Sequence, residues 1–429
     1  MQTAPDRLAE LVQQTCPFHC LNGRPGRCTN DTPVKSADQE GADDCGHGPL
    51  LTEKPDPDRF CHLGITASSR SRTSVSVQAP STPYDAQPEK AFWRSAVADK
   101  SLFDIEEVYS PKFDLWTAKV ATAGSCFAQH IGGALRKAGL AYLDVEPPPP
   151  MLPAQCQGRY GYGLFSARYG NIYNTRQLVQ LFDRAFGNFR PSETAWETGG
   201  RWADPFRPTI EPGGFESQDE LEECRSAHFS AVRRLFESLE VLVFTLGLTE
   251  TWISAVDGAA YPMCPGTAAG TFDSTKYRFV NLRYAEIRDD LEQFMRRVHS
   301  INPGAKFLLT VSPVPLTATA TKNHVISATM YSKSVLRAVA GDLCDALDCV
   351  DYFPSYELIA GTAARGTFFE PNMRAVSAAG VAYVMSKFFP HRPADTAVAT
   401  AGQNGAEPPI GRPAFEYCDE AALGEYLTR

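Results

Sequence analysis

Continuous apolar runs alternate along this chain with longer stretches in which apolar residues recur at helical spacing. The apolar runs are short and rich in β-branched residues, as in parallel strands that are buried on both faces. These predicted strands are 120–123, 141–145, 241–247, 306–312 and 349–357. The stretches with helical periodicity are 125–139, 175–186, 219–239, 284–298, 326–347 and 378–389. The alternation predicts an α/β fold, a three-layer α/β/α sandwich with a doubly wound, mostly parallel sheet of about five strands.

Further patterns predict what surrounds this sheet. Residues 252–261 have the pattern of a hairpin with Asp257-Gly258 at its turn, which is one of the inserted segments that we expect. Aromatic residues are dense in 91–118, and this predicts a lead-in that packs against the core. Glycine and tyrosine alternate in the loop 159–174, as they would where backbone approaches a ligand.

The composition changes at both ends of the alternating pattern. Residues 1–90 are rich in Pro, Ser, Asp and Gly, so this leader is predicted to be largely disordered. Its five cysteines and three histidines lack the paired spacing of a zinc site, and no metal site is predicted. Residues 391–429 form a Pro- and Ala-rich tail. One α/β domain is therefore predicted over 91–390.

Charge and hydropathy narrow the range of functions. The 429 residues carry a net charge of −9 and no cluster of Lys and Arg, which argues against nucleic-acid binding. No apolar run approaches the ~18 residues of a membrane span, and the first residues lack the layout of a secretory signal. The sequence therefore predicts a cytoplasmic protein without membrane contact. The glycine run 265–271 lacks the lysine of a phosphate loop, and no cofactor is predicted.

Candidate chemistry begins where the first predicted strand meets the first predicted helix. Gly124 permits a tight turn there, and Ser125 opens the helix. A serine in this position is either a helix cap or a nucleophile at the carboxyl edge of a parallel sheet, where helix N–H groups favour developing negative charge. Position alone favours the cap.

The residue pattern favours the nucleophile. Gly124-Ser125-Cys126-Phe127-Ala128 resembles the signature of the GSCFA family, which is similar to the SGNH/GDSL esterases. Further matches follow in the family's order at 245–247, 310–313, 332–333 and 352–357. The resemblance implies an SGNH-like fold in which Ser125 attacks O-acyl esters, those of carbohydrates among them.

Two features of SGNH enzymes are missing at the expected places. The stretch 368–377 has no Asp-x-x-His, and the family's histidine position falls at Ala375. Residues 248–250, Leu-Thr-Glu, contain no oxyanion Asn. Because a serine hydroxyl needs a base, we predict that His324, which follows a loop from the same sheet edge, takes the proton, with His228 as the alternative.

The remaining site residues come from the same sheet edge and from the loop 159–174, which the resemblance implies lies near Ser125. Glu250 and Glu357 both follow strands and are candidates to orient the histidine. The predicted oxyanion and substrate residues, together with the N–H of Ser125, are Gly170, Asn171, Asn174 and Thr249. The leading hypothesis is a serine esterase or acyltransferase that acts on a small-molecule or glycan ester. The alternative is a catalytically silent SGNH-like fold that binds a glycan or a partner protein.

Overall fold

A four-stranded parallel sheet lies at the centre of the computed structural model, which describes residues 82–389. The predicted tail and most of the predicted leader lie outside these residues, and residues 88–389 belong to one compact unit. The strands are β1 (Val120–Gly124), β2 (Trp196–Thr198), β3 (Arg201–Ala203), β4 (Val241–Leu246), β5 (Glu250–Ser254), β6 (Ala260–Tyr261), β7 (Tyr277–Asn281), β8 (Lys306–Val311) and β9 (Val350–Phe353). The central sheet has the order β1-β4-β8-β9.

Eight α-helices lie within the described residues. They are α1 (Phe127–Lys137), α2 (Ala154–Gln157), α3 (Thr175–Ala185), α4 (Gln218–Ser238), α5 (Tyr284–Ile301), α6 (Val325–Ala346), α7 (Ser355–Ala360) and α8 (Ala378–Phe388). A π-helical turn at Arg94–Ala98 and four short 3₁₀ turns accompany them. The predicted long helices and central strands are confirmed, with ends that differ by up to about four residues.

Helices cover both faces of the central sheet. Alternate strand residues point to opposite faces, so that Leu242 and Phe244 of β4 pack with α3, α4, α5 and α6. Val241 and Val243 of the same strand pack with α1, α7 and α8 on the other face. Burial on both faces explains why these strands are uniformly apolar rather than alternating. The predicted three-layer, doubly wound sandwich is confirmed.

The predicted fifth strand is much shorter than expected. Of residues 141–145, only Tyr142 pairs with the sheet, as a parallel bridge to Val120 at the edge of β1. The backbone N–H of Val145 already donates to Ser166, 2.9 Å away, and the prolines at 147–150 then end regular structure. Four full strands and one bridge account for the predicted number.

Inserted segments form two small antiparallel sheets. β5 pairs with β6 and with β7, and β2 pairs with β3. The hairpin predicted at 252–261 is confirmed, and Gly258 has a φ of 74° at its turn. Asp257 Oδ1 accepts the N–H of Ala259 at 3.0 Å, which closes the turn.

The second half of the predicted aromatic lead-in packs on the core, whereas Phe92 and Trp93 in its first half are exposed. Phe113 and Leu115 are buried. The ring of Tyr109 lies 5.1 Å from that of Phe353, and the ring of Trp116 lies 5.6 Å from that of Phe389. Among the helices of residues 82–389, no stretch combines the length and hydropathy that crossing a bilayer requires.

Candidate functional site

The Ser125 corner is the turn that joins β1 to α1. Gly124, the last residue of β1, has a φ of 132°, and a Cβ at this position would overlap the backbone of Thr245 in β4. Only glycine fits such a close approach between strands. The N–H of Ser125 donates to the Thr245 carbonyl at 3.1 Å, which continues the pairing of β1 with β4 by one residue. The corner is therefore fixed by backbone contacts.

The hydroxyl of Ser125 is buried and unpaired. The side chain is 3% exposed, and within residues 82–389 its Oγ has no hydrogen-bond partner. Cys126 occupies the N-cap position of α1, and no side-chain cap hydrogen bond is formed. The cap interpretation of Ser125 is therefore wrong. A buried hydroxyl without a partner is costly, and such groups in native structures call for an explanation.

Gly247 packs directly against Ser125. A Cβ on Gly247 would lie 3.0 Å from Ser125 Cβ and 3.0 Å from the Tyr173 carbonyl oxygen. That carbonyl accepts the N–H groups of both Gly247 and Leu248, at 3.0 and 2.8 Å. The backbone N–H groups that follow β4 are consequently turned toward Tyr173.

A buried lysine stabilises the segment that follows β4. Lys333 of α6 is fully buried, and its Nζ donates to the Gly247 carbonyl at 2.7 Å. The neighbouring Ser332 Oγ accepts the N–H of Thr249 at 3.0 Å. The Ser332-Lys333 pair thus holds the chain that follows β4 against the Ser125 corner. The sequence match at these two residues indicated that they matter, but not that they act on backbone atoms.

Two of the four predicted oxyanion and substrate residues are committed to structural contacts. Thr249 donates its hydroxyl to Asn281 Oδ1 at 2.6 Å, and its N–H is held by Ser332. Asn174 caps α3, where its side chain and that of Gln177 form a reciprocal capping box. The N–H of Ser125, also predicted as an oxyanion donor, is the one that donates to Thr245. A hydrogen bond to the protein occupies each of these groups.

The other two residues lie beside β1. Ile172 N–H donates to the Gly124 carbonyl at 2.8 Å, which places the segment 170–172 along the end of the strand that carries Ser125. Asn171 is 3% exposed, whereas the space beside Gly170 is open. The segment that contains Gly170 and Asn171 therefore lies at the end of β1, next to the Ser125 corner.

The predicted triad of Ser125 with His324 is not formed. His324 is exposed and caps α6, with its Nδ1 accepting the N–H of Ile326 at 3.2 Å. In a serine triad Nδ1 donates to a carboxylate instead, which leaves Nε2 free to accept the serine proton. The backbone contact at His324 therefore imposes the opposite tautomer.

Neither predicted acid orients a histidine. Glu250 accepts the Thr319 hydroxyl at 2.6 Å and the Ala320 N–H at 3.2 Å. Burial raises the pKa of Glu250, which these two hydrogen bonds partly offset. Glu357 accepts Arg337 Nε at 2.5 Å and the Tyr352 hydroxyl at 2.9 Å. Each carboxylate fixes a loop or a helix.

The alternative base, His228, does have an orienting acid. His228 of α4 is 1% exposed, and its Nδ1 lies 2.7 Å from Glu146 Oε2. Its Nε2 is buried without a hydrogen-bond partner in the described part of the chain. Burial and the nearby Arg207 lower the pKa of His228 to about 4, so the ring is neutral at pH 7 and donates through Nδ1.

Glu146 is the acid that the sequence interpretation missed. Burial raises the pKa of Glu146, but His228 and Arg207 outweigh burial and lower that pKa to about 2. Its Oε2 also accepts the Arg168 N–H at 2.8 Å. The sequence did contain a signal for it, because Glu146 directly follows the predicted strand 141–145 and the candidate acids were those that follow strands. No hydrogen bond joins this pair to Ser125 Oγ.

Residues 368–377, which lack the Asp-x-x-His, form a turn at Asn372. Asn372 Oδ1 accepts the N–H groups of Arg374 and Ala375, each at 2.9 Å. Phe369 and Val376 form an antiparallel bridge around this turn. Asn372 therefore shapes the turn, and Ala375 brings no titratable group to it.

Comparison with known proteins agrees with this architecture. The model of the GSCFA family matches residues 119–388, which include β1, the Ser125 corner and all later central strands. The chain belongs to the GSCFA family. A search of curated proteins gave no match.

One solved structure similar to this GSCFA protein is a Clostridium thermocellum family 3 carbohydrate esterase. The two chains are 10% identical, and the alignment covers 63% of this chain and 93% of the esterase, with a TM-score of 0.24. Since a similarity of this size is too low to carry a functional argument, the chemistry of the GSCFA domain depends on its own residues. Among residues 82–389, no three His, Cys, Asp or Glu side chains are grouped as metal ligands would be.

Proposed function

We propose that this GSCFA protein is a serine esterase or acyltransferase in which Ser125 is the nucleophile. The observation that carries the proposal is the buried, unpartnered Oγ of Ser125 at the carboxyl edge of the sheet. Helix α1 begins two residues later, so its N-terminal N–H groups favour negative charge near this hydroxyl. The family signature at 124–128 supports the same role.

The reaction that we propose is acyl transfer through a covalent intermediate. Ser125 Oγ forms a bond to the ester carbonyl carbon, the serine proton passes to a base, and the alcohol leaves with a proton. Water or a second alcohol then attacks the acyl-enzyme and releases the acid or the new ester. Gly170 and Asn171 are the proposed partners of the oxyanion, because the segment 170–172 runs along the end of β1, next to Ser125. The choice of O-acyl esters, including those of carbohydrates, follows the family resemblance.

Within this proposal, His228 is a better base than His324. A base needs a free lone pair, an acid that fixes its tautomer and hydrogen-bond reach to the serine proton. The Glu146–His228 pair supplies the first two, and in the described residues no hydrogen bond joins His228 to Ser125 Oγ. His324 Nδ1 is engaged by the N-terminus of α6 instead. Substituting each histidine by alanine tests the assignment, since the base variant loses kcat and the other keeps it.

A short-chain aryl ester tests the nucleophile directly. Ser125→Ala is expected to lower kcat/KM for the ester by about 10³-fold or more, as the loss of a nucleophile does in other serine enzymes. Ser327→Ala, an exposed serine on α6, is the matched control and keeps the wild-type rate. Equal rates for wild type and Ser125→Ala would reject the esterase proposal.

The second candidate function is a catalytically silent fold that binds a glycan or a partner protein. It is favoured by one observation, that no histidine is hydrogen-bonded to Ser125 within the described residues. The two candidates differ in the ester assay, because a silent fold gives no Ser125-dependent turnover on any acyl donor.

A further inference from the structure

A pocket of about 600 Å³ lies at the C-terminal end of α3, away from the Ser125 corner. The N-terminus of α3 follows Tyr173, whose carbonyl holds Gly247 beside Ser125. The 11 residues of α3 rise by about 16 Å from there. Arg184, in the last turn of α3, lines the pocket. The pocket shares no residue with the proposed acyl-transfer site, and the inference below goes beyond that function.

The pocket lining combines positive charge with aromatic rings. Four arginines and one carboxylate, Glu222, line it. The arginines are Arg184, Arg190, Arg225 and Arg233. The aromatic part of the lining is Phe186, Phe189, Phe206 and Phe229. A volume within the ~300–1,000 Å³ typical of small-molecule sites, with an excess of cations, suits an organic anion.

Two of these arginines have partners within the protein. Arg225 Nη1 pairs with Glu222 at 2.7 Å, and its Nε lies 3.4 Å from Asp204. Arg233 donates Nη1 to the Ala185 carbonyl at 2.5 Å, which neutralises the C-terminal end of α3. Protein contacts therefore account for their presence.

Arg184 is different because it has no ion-pair partner in the described part of the chain. Its Nε donates to the Gln180 carbonyl at 3.3 Å, and its guanidinium stacks 3.8 Å from the ring of Phe206 and 5.6 Å from that of Phe229. Burial lowers the pKa of this guanidinium to about 9; Asp204 opposes the shift, and repulsion from Arg207 and Arg225 adds to it. The group still carries its charge at pH 7.

Asp204, the carboxylate that attracts Arg184, is already shared by other groups. Asp204 Oδ2 already accepts from Arg207 Nε at 3.0 Å and from Arg225 Nε at 3.4 Å, and Oδ1 accepts the Phe206 N–H at 3.0 Å. Arg190 is exposed, and it forms no hydrogen bond or ion pair with any residue from 82 to 389. Among residues 82–389, neither Arg184 nor Arg190 thus forms an ion pair.

We propose that the pocket binds a small organic anion, with a phosphate or carboxylate on Arg184 and Arg190 and an apolar or aromatic body against the phenylalanines. A planar guanidinium held between aromatic rings is pre-oriented for two parallel hydrogen bonds to such a group. The bound anion would give Arg184 an ion-pair partner, because Asp204 is already paired with Arg207 and Arg225.

Isothermal titration calorimetry at low salt tests the proposal with three probes, which are phenyl phosphate, benzoate and inorganic phosphate. Either aromatic probe is expected to bind more tightly than inorganic phosphate. Preference between phenyl phosphate and benzoate identifies the anionic group as a phosphate or a carboxylate. Affinity should fall with added NaCl, because the contact is partly electrostatic. Inorganic phosphate that binds as tightly as both aromatic probes would overturn the aromatic part of the proposal.

Variants then locate the binding to this pocket. Arg184→Gln is expected to weaken binding by about tenfold or more, and Arg190→Gln by about threefold, because its contact is exposed. Arg296→Gln removes an exposed arginine of α5 and keeps the wild-type affinity.

Arg190→Gln keeps the test valid if Arg184→Gln disturbs packing, since Arg190 is exposed and forms no hydrogen bond or ion pair with the described residues. Absence of binding by either aromatic probe at millimolar concentration would overturn the proposal, and so would unchanged affinity in both pocket variants. Ester hydrolysis by Arg190→Gln should match the wild type, because Arg190 lines no cavity with His228 or Asn171. Failure of the anion proposal is therefore distinguishable from failure of the Ser125 proposal.

Discussion

Backbone carbonyls, with the side chains of Ser332 and Lys333, hold the polar groups around Ser125, whereas charged side chains hold those around Asp204 and Glu146. At the Ser125 corner, carbonyls of Thr245 and Tyr173 take the local N–H groups, and the hydroxyl itself has no hydrogen-bond partner in residues 82–389. At the second region, Asp204 binds two arginines and Glu146 binds His228.

This difference separates two properties that a serine triad combines. The Ser125 corner has the position and the unpaired hydroxyl of a nucleophile, and the Glu146–His228 pair has the tautomer and the oriented acid of a base. Strand pairing fixes the Ser125 corner, whereas the contact with the Glu146 carboxylate fixes His228. Substitutions in each region should therefore differ in kind as well as in size.

The largest loss of stability is expected in the charged region, from Asp204→Asn. The Asp204 side chain is fully buried, and burial raises its pKa, but Arg207 and Arg225 outweigh burial and hold that pKa below its usual range. Removing the charge leaves buried arginines uncompensated, at a cost of about 3–5 kcal/mol in unfolding free energy. Urea denaturation measures it. Glu222→Gln, whose side chain is 66% exposed, is the control and should cost less than about 1 kcal/mol.

Sequence reasoning was sufficient for the four central strands and the helices that cover them, because these depend on periodicity. The uniformly apolar run of β4 and the regular spacing in α4 and α5 predicted buried strands and covering helices, and each formed. The strand predicted at 141–145 shrank to a bridge at Tyr142, since local periodicity does not tell where Val145 N–H finds its acceptor.

The site was predicted less completely than the fold, for a physical reason. The place of Ser125 follows from its position at the end of a strand, whereas Gly170 and Asn171 came from the family resemblance, and the segment 170–172 lies along the end of β1. The pairing of His228 with Glu146, 82 residues away, depends on how α4 packs across the sheet, which no local pattern contains. His324, Glu250 and Glu357 reach suitable ends of elements but have hydrogen-bond partners that only the folded chain reveals.

The next largest loss of stability is expected at the Ser125 corner, from Gly124→Ala. The left-handed φ of 132° and overlap with the Thr245 backbone should together destabilise the domain by about 3 kcal/mol. Gly133→Ala in α1 is the matched control, because its Cβ would meet nothing within 4 Å, and it should stabilise by up to about 1 kcal/mol. Equal urea midpoints for the two variants would show that strand approach does not constrain this corner.

A smaller effect, dependent on pH, is expected from His228. Its folded-state pKa of about 4 lies below the usual value of 6.5, so the unfolded chain binds more protons between these values. Stability should therefore be present above pH 6.5 and be lost as pH falls toward 4, by about 2 kcal/mol between about pH 7 and about pH 5.

Urea denaturation of wild type and His228→Gln across this range measures the contribution of His228. The variant should lose less stability on acidification, whereas Ser226→Ala, an exposed and uncharged change on the same helix, should follow the wild type. Parallel curves for wild type and His228→Gln would mean that the folded state does not hold this ring neutral.

The smallest effect is expected from Ser332→Ala, which measures how far the Ser125 corner depends on the Ser332 side chain. The substitution removes the acceptor of the buried Thr249 N–H and should cost about 1–2 kcal/mol in unfolding free energy. Ser327→Ala on the exposed side of α6 should stay within about 0.5 kcal/mol of the wild type. Since Thr249 lies two residues beyond Gly247, a loosened chain there should also lower the kcat of Ser125-dependent ester hydrolysis while leaving KM unchanged. A variant that loses stability but keeps kcat would show that Ser332 holds the fold without positioning the Ser125 corner.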